Sequence, residues 1–155
     1  TEVFDGWTNA LCTYLDKGYS QVGYLGCYLD DQLSGNIVGF GEEVDYILGW
    51  AFAIKRQTYK SFGLFDERFE FAYFEDVDLS LRLKKAGEKI YALYNPLVHH
   101  YGNKTVIFNT SILNYIKNNY KKFYEKWSDS FVSQKDLPND NIWGSFGKKI
   151  EIEKK

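Results

Sequence analysis

Val44-Asp45-Tyr46-Ile47-Leu48-Gly49-Trp50-Ala51-Phe52-Ala53-Ile54 is the longest apolar run of the chain, and it constrains the fold most. So dense a run offers no side to water, so it reads as a central strand buried on both faces. Gly49 interrupts the run, which predicts a bulge or the close approach of another group. Gln21 to Leu29 reads as a second buried strand, with Val22, Tyr24 and Leu25 among its apolar residues. Lys89 to Tyr94 reads as a short third strand, and Asn95-Pro96 turns the chain towards Leu97-Val98.

Helical patterns alternate with these strands. Asp5 can cap a helix whose inner face is Trp7, Leu11 and Leu15 and which Gly18 ends. Arg56 to Ser61 forms a short helix ended by Gly63. Asp76 to Ala86 is a third helix, with Glu75, Asp76 and Asp78 at its start, Lys84 and Lys85 in its last turn and Gly87 as its stop. Val77, Leu79, Leu81 and Leu83 also alternate as a strand would, but the start and stop signals agree on helix. Asp78 and Arg82 are spaced to pair at i,i+4 on its surface. Asn109 or Thr110 can cap a last helix carrying Ile112, Ile116, Tyr120, Phe123 and Trp127 on one face, with Lys117, Lys121, Lys122 and Lys126 elsewhere. That helix either packs on the domain with a solvated basic face or lies on a membrane surface. Buried strands alternating with amphipathic helices predict an α/β fold, a mixed sheet flanked by helices.

The 155 residues suffice for one domain with a real core. A net charge of −2 gives no electrostatic footprint for nucleic acid. Cys12 and Cys27 make no disulfide framework, which points to a reducing, cytoplasmic compartment. No leader-like stretch opens the chain and no run is long enough to span a bilayer. Met is absent, even at position 1, so the chain reads as a piece of something longer. Peripheral membrane contact and homo-oligomerisation stay open. Asp30-Asp31 reads as a solvated turn, with no further ligand nearby to make it a metal site.

The chemistry concentrates in Phe69-Glu70-Phe71-Ala72-Tyr73-Phe74-Glu75-Asp76-Val77-Asp78. Aromatics, 19% of the chain, either stack on sugars or fill cores. Backbone N–H groups and the helix dipole at a helix start favour the ionised forms of Glu75, Asp76 and Asp78. A carboxylate beside aromatic surface can accept a proton from a sugar hydroxyl; it can equally be a plain N-cap with a hydrophobic staple. Trp50 is a ring for a sugar or a core residue. His99 and His100, adjacent on a strand, point to opposite faces.

Taken in order and spacing, these segments resemble the C-terminal half of a family 2 glycosyltransferase of the GT-A fold. Gly49, Ile54-Lys55-Arg56 and Gly63-Leu64-Phe65-Asp66-Glu67-Arg68-Phe69 resemble its strand and turn before the acceptor site. Phe74-Glu75-Asp76-Val77-Asp78 through Leu83, with Gly87, resembles its ED motif and helix. Pro96, Val98, His100, Gly102 and Thr105 resemble its closing histidine segment. Thr1-Glu2-Val3 and Gly6-Trp7 look like the residues that follow its metal-binding DXD motif.

The resemblance implies a partial GT-A domain over residues 1–127, with 128–155 an extension that is either disordered or an edge strand. It implies that the nucleotide-binding strands and the DXD motif would lie upstream of Thr1. It implies inverting transfer of a sugar from a nucleotide-sugar donor to a saccharide or other acceptor hydroxyl. Asp76 would be the base and Glu75 would orient or bind the acceptor. Trp50, Tyr73 and Phe74 would contact the acceptor, and His100 would be a supplementary ligand of a divalent cation, Mn or Mg, in the intact enzyme. The isolated chain is then expected to be inactive and to hold neither donor nor metal tightly.

Three other readings stand beside it. A non-catalytic carbohydrate-binding or scaffold module could derive from the same fold. A galactosyltransferase-type C-terminal region also carries an acidic motif after aromatics, with a Gly-rich lead-in where this chain has Phe71-Ala72-Tyr73. A glycoside hydrolase needs two carboxyls facing across a bond, about 5–9.5 Å apart, and neighbours on a helix such as Glu75 and Asp76 splay apart.

Overall fold

The computed structural model describes residues 1–94, 97–102 and 112–131, with Asn36 described by its backbone alone. In chain order the elements are β1 (Glu2–Val3), α1 (Trp7–Asp16), β2 (Gln21–Gly23), β3 (Gly26–Leu29), β4 (Gly35–Gly39), β5 (Tyr46–Ile47), β6 (Phe52–Ile54), α2 (Arg56–Phe62), α3 (Glu75–Lys85), β7 (Ile90–Ala92), β8 (Val98–His99) and α4 (Ile112–Trp127). The fold is α/β with mixed pairing. In the sheet β6-β2-β7, Val22 faces Ala53 antiparallel and Tyr91 parallel. A second sheet, β4-β3-β5, is antiparallel, and β1 pairs β8 antiparallel. The expected caps at Asn109 and Thr110, together with Pro96, Thr105 and the tail beyond 131, lie outside the described residues.

The long apolar run is not one strand. It divides into β5 and β6, which belong to different sheets, with Leu48 to Ala51 crossing between them. Gln21 to Leu29 divides in the same way, into β2 and β3. The two breaks lie side by side, the Leu48 amide donating to the Leu25 carbonyl at 2.9 Å and the Tyr24 amide to the Ala51 carbonyl at 3.2 Å. Close packing at this corner leaves no room for side chains: a Cβ on Gly23 would sit 2.1 Å from Ile47 Cγ2. Hydrophobicity marks both stretches as buried, but it carries no information on which sheet each half joins.

α3 is the central helix, and its alternating pattern has a packing cause. Val77 and Leu81 face a cluster with Phe123 and Trp127 of α4, together with Cys27, Leu29 and Tyr46. Leu79 and Leu83 face the opposite cluster, with Val44, Ile47, Ile90 and Ala92. A helix covered on two sides carries apolar residues toward both. Asp78 is therefore not on the surface as its spacing suggested. It is fully buried, and its pair with Arg82 at 2.9 Å is joined by Lys126 at 2.6 Å and by the Trp127 indole N–H at 2.9 Å.

α1 buries Leu11 against Val22, Tyr24, Ala51, Leu93 and Val98. Its N-cap is Gly6, at φ +85°, with no side-chain cap, so Asp5 does not have the capping role its position suggested. α2 ends at Gly63 as expected. α4 lays Ile112, Tyr120, Phe123 and Trp127 onto the domain. Lys122 pairs with Glu70 at 2.9 Å and Lys126 with Asp66 at 2.9 Å, while Lys117 and Lys121 stay exposed. No helix among the described residues is long and apolar enough to cross a membrane.

Candidate functional site

The acidic residues reach α3 through a tight, irregular path. Phe71, Tyr73 and Phe74 have φ of +67°, +76° and +75°, a left-handed region that bulky L-residues rarely enter. A single buried side chain holds this path. The Asn119 amide donates to the carbonyls of Glu70 at 2.8 Å, Ala72 at 3.0 Å and Tyr73 at 3.2 Å, and accepts the Glu70 N–H at 3.1 Å. Asn119 was not among the residues singled out in the sequence. The signal was there: it lies seven residues after Ile112, a polar group on the apolar face of α4, and such a group needs partners.

Phe74 is the N-cap of α3 and gives it no side-chain cap. Its ring lies on Tyr120 at 5.6 Å and Phe123 at 5.2 Å, on the α4 side. Tyr73 is half-buried, and burial, then the charges of Glu75 and Asp76, raise its phenol. Phe71 is exposed and stacks on Tyr115, with ring centroids 5.7 Å apart.

Asp76 is held by two backbone donors. Its Oδ2 accepts the Gly49 N–H at 2.7 Å and its Oδ1 accepts the Val77 N–H at 2.8 Å. Gly49 is thus the close approach that the interrupted apolar run predicted; a Cβ there would stand 3.1 Å from both Cβ and Oδ2 of Asp76. Trp50 follows directly, and its ring stacks on His100, centroids 5.0 Å apart and planes 2° apart. The second nitrogen-bearing contact of His100 is Nδ1, 2.9 Å from Thr1 Oγ1. His99 takes a different neighbour, meeting Tyr101 edge-on at 4.5 Å. The fold therefore connects Asp76, Trp50 and His100 through the 48–51 turn, with Glu75 and Tyr73 beside Asp76, and it places the Phe74 ring elsewhere.

The electrostatics set burial against the helix start. The helix start was expected to favour ionised carboxylates. Burial wins instead: it raises Asp76 against the pull of the Gly49 and Val77 amides. Glu75 is pushed up to about 7, by burial first and by the Asp76 charge second. Its Oε2 is buried and has no donor among the described residues. Burial, the largest cause, lowers His100.

A cation needs more ligands than His100 alone. Among the described residues no group of three or more His, Cys, Asp or Glu side chains could hold one. The residues present therefore do not fit a metal site by themselves.

No protein-family model matches the sequence, and no solved structure matches it. Over 111 residues the chain is 23% identical to the inactive polypeptide N-acetylgalactosaminyltransferase-like protein 5 of Macaca fascicularis. The match covers 69% of this chain and 25% of that protein, so the chain spans about a quarter of its relative's length. The similarity is to a glycosyltransferase-like protein.

Proposed function

We propose that this chain is the acceptor-side portion of an inverting glycosyltransferase domain, moving a sugar from a nucleotide-sugar donor to a hydroxyl of a saccharide or other acceptor. One observation carries the reading: two carboxyls with raised affinity for protons, Glu75 and Asp76, stand at the start of α3 and are tied through Gly49 to the Trp50–His100 stack. Carboxyls poised in this way suit removal of a proton from an acceptor hydroxyl. Similarity to a glycosyltransferase-like protein supports the same class. Trp50 and Tyr73 would wall the acceptor. A divalent cation, if the whole enzyme uses one on the departing diphosphate, would take His100 together with ligands outside those described here.

The relative is named as an inactive protein, which favours a second reading, a non-catalytic saccharide-binding module built on the same fold. One assay separates the two. The natural protein that carries this segment is incubated with a panel of nucleotide sugars, Mn or Mg, and saccharide acceptors. Transfer with inversion at the anomeric carbon, lost in a Glu75→Gln/Asp76→Asn double variant, is the expected result. Saccharide binding with no transfer selects the module. Release of free sugar without a nucleotide donor selects a hydrolase.

A further inference from the structure

We propose that the cleft between residues 68–71 and α4, with the Phe71–Tyr115 ring pair beside it, is a saccharide subsite. It holds the unit next to the reacting one, which makes the acceptor a neutral oligosaccharide. The proposal rests on the glycosyltransferase reading above and adds the length and charge of the acceptor to it.

Phe71 carries the argument. Its ring is 66% exposed, yet its backbone sits at φ +67°, where a bulky L-residue is strained. Such strain persists only where the surroundings impose it, and residues so held concentrate at ligand clamps. Asn119 imposes it here, through its hydrogen bonds to Glu70, Ala72 and Tyr73 on either side of Phe71. A ring left in water gains little from burial, so packing alone gives no reason to hold it there. Tyr115 of α4 lies against it, with ring centroids 5.7 Å apart and planes 22° apart, and is itself 38% exposed. Together the two rings present flat aromatic surface to solvent, on which the C–H face of a sugar ring can pack.

The same edge of α4 continues into a cleft. Tyr115, Asn118 and Lys122 follow one another at i, i+3 and i+7. Arg68 and Glu70 on one side, and Lys122, Glu125 and Lys126 on the other, enclose about 430 Å³, a volume typical of small-ligand sites. The charges there are already matched. Lys122 meets Glu70 at 2.9 Å, Lys126 meets Asp66 at 2.9 Å, and Arg68 meets Asp66 at 2.5 Å. An anionic ligand would have to break these pairs. A neutral sugar need not, because its hydroxyls donate to the carboxylates and accept from the cations where they stand. An extended peptide draws on an open strand edge, whereas a loop and a helix border this cleft.

One loop joins the cleft to the acceptor site. Tyr73 and Asp76 follow Phe71 by two and five residues, and Asn119 fixes the stretch from Glu70 to Tyr73 as a unit. A saccharide whose end reacts beside Tyr73 and Asp76 meets Phe71 with its next unit.

The test uses the natural protein carrying this segment, the variants Phe71→Gly and Tyr115→Ala, and Tyr59→Ala on α2 as a control. Glycine at 71 removes the ring and adopts φ +67° without strain, and Tyr115 lies on the exposed side of a helix, so both variants keep the fold. NMR follows the ring resonances of Phe71 and Tyr115 during titration with neutral β-linked glucose and N-acetylglucosamine chains of one to four units. Transfer is measured on the same acceptors with a panel of nucleotide sugars. Chains of two or more units are expected to shift both rings, and single sugars are not. Phe71→Gly and Tyr115→Ala are each expected to weaken binding of the longer chains by about 3–10-fold, the value of one aromatic contact. They should raise KM for those chains in the same proportion, with kcat and the single-sugar response unchanged, and Tyr59→Ala should match wild type throughout. Rings unmoved by every chain, or variants that bind all lengths as wild type does, overturn the subsite; sugar transfer by the wild type then leaves the transferase reading standing. Shifts produced by an anionic saccharide or a serine- and threonine-bearing peptide, and not by neutral chains, overturn the ligand class. A wild type that transfers no sugar yet shows length-dependent ring shifts overturns the transferase reading and supports the subsite.

Discussion

Asp76 and Gly49 meet at 2.7 Å, carboxylate oxygen to amide nitrogen, and this contact fastens the start of α3 to the turn that divides the longest apolar run. Everything near the candidate site depends on how closely those two residues approach.

Gly49→Ala tests the approach. The new methyl would lie 3.1 Å from Asp76 Cβ and Oδ2, so the Asp76 side chain must shift by a few tenths of an ångström against its hydrogen bond to the Gly49 amide. Overpacking of this kind costs about 1–3 kcal/mol. Denaturant unfolding should show the loss as a lower midpoint at unchanged slope. An unchanged midpoint would mean that the turn yields freely.

Asn119→Asp tests the loop clamp. An aspartate cannot donate, so the carbonyls of Glu70, Ala72 and Tyr73 all lose their amide partner. The Glu70 carbonyl keeps the Ala72 N–H as a donor, and hydrogen bonds to half-buried carbonyls are worth about 0.5–1.5 kcal/mol each, so a loss of about 1–3 kcal/mol is expected. Amides of residues 70–74 should exchange faster in hydrogen-exchange measurements. Wild-type exchange in that stretch would remove Asn119 from its role.

Trp127→Phe removes one donor from the buried Asp78 and leaves Arg82 and Lys126 in place. A hydrogen bond to a buried charge is worth about 1.5–3 kcal/mol. Thermal or chemical unfolding should show a loss of that size; a change within error would leave the α3–α4 contact to packing and the Lys126–Asp78 pair.

The raised Glu75 carboxyl gives a pH dependence with a definite sign. Between 4.5, its ordinary value, and about 7, the folded chain keeps a proton that the unfolded chain has released. Its contribution to stability is therefore full below about pH 4.5 and is lost as pH rises through about 7. Glu75→Gln should flatten that part of the stability profile. An identical slope in the variant would show that another group titrates there.

Much of this was legible from spacing. The ends of α3 follow from the acids at its start and Gly87 at its stop. The buried face of α4 follows from Ile112, Tyr120, Phe123 and Trp127. What failed were questions of partner choice. Val44 to Ile47 is buried as its composition demanded, but Phe52 to Ile54 is only half-buried and Gly49 is exposed, and nothing local says that Tyr46 and Phe52 join different sheets. Asp78 looked like a surface ion-pair residue because its partners Lys126 and Trp127 arrive from a helix more than forty positions away. The proton affinity of Glu75 is higher than its helix start alone would set, because burial, a tertiary property, outweighs that local pull. Asn119 clamps a loop far from it in sequence, and only its polar character on an apolar face gave a trace of that.

The central claim is that residues at the start of α3 and in the 48–51 turn form a saccharide face. NMR titration of the isotope-labelled protein with a panel of mono- and oligosaccharide acceptors tests it most directly. The account predicts saturable shifts confined to Gly49, Trp50, Tyr73, Glu75, Asp76 and His100, joined by Phe71 and Tyr115 for the longer chains, and weakened in Glu75→Gln. Shifts centred on any other surface, or none across the panel, would contradict it.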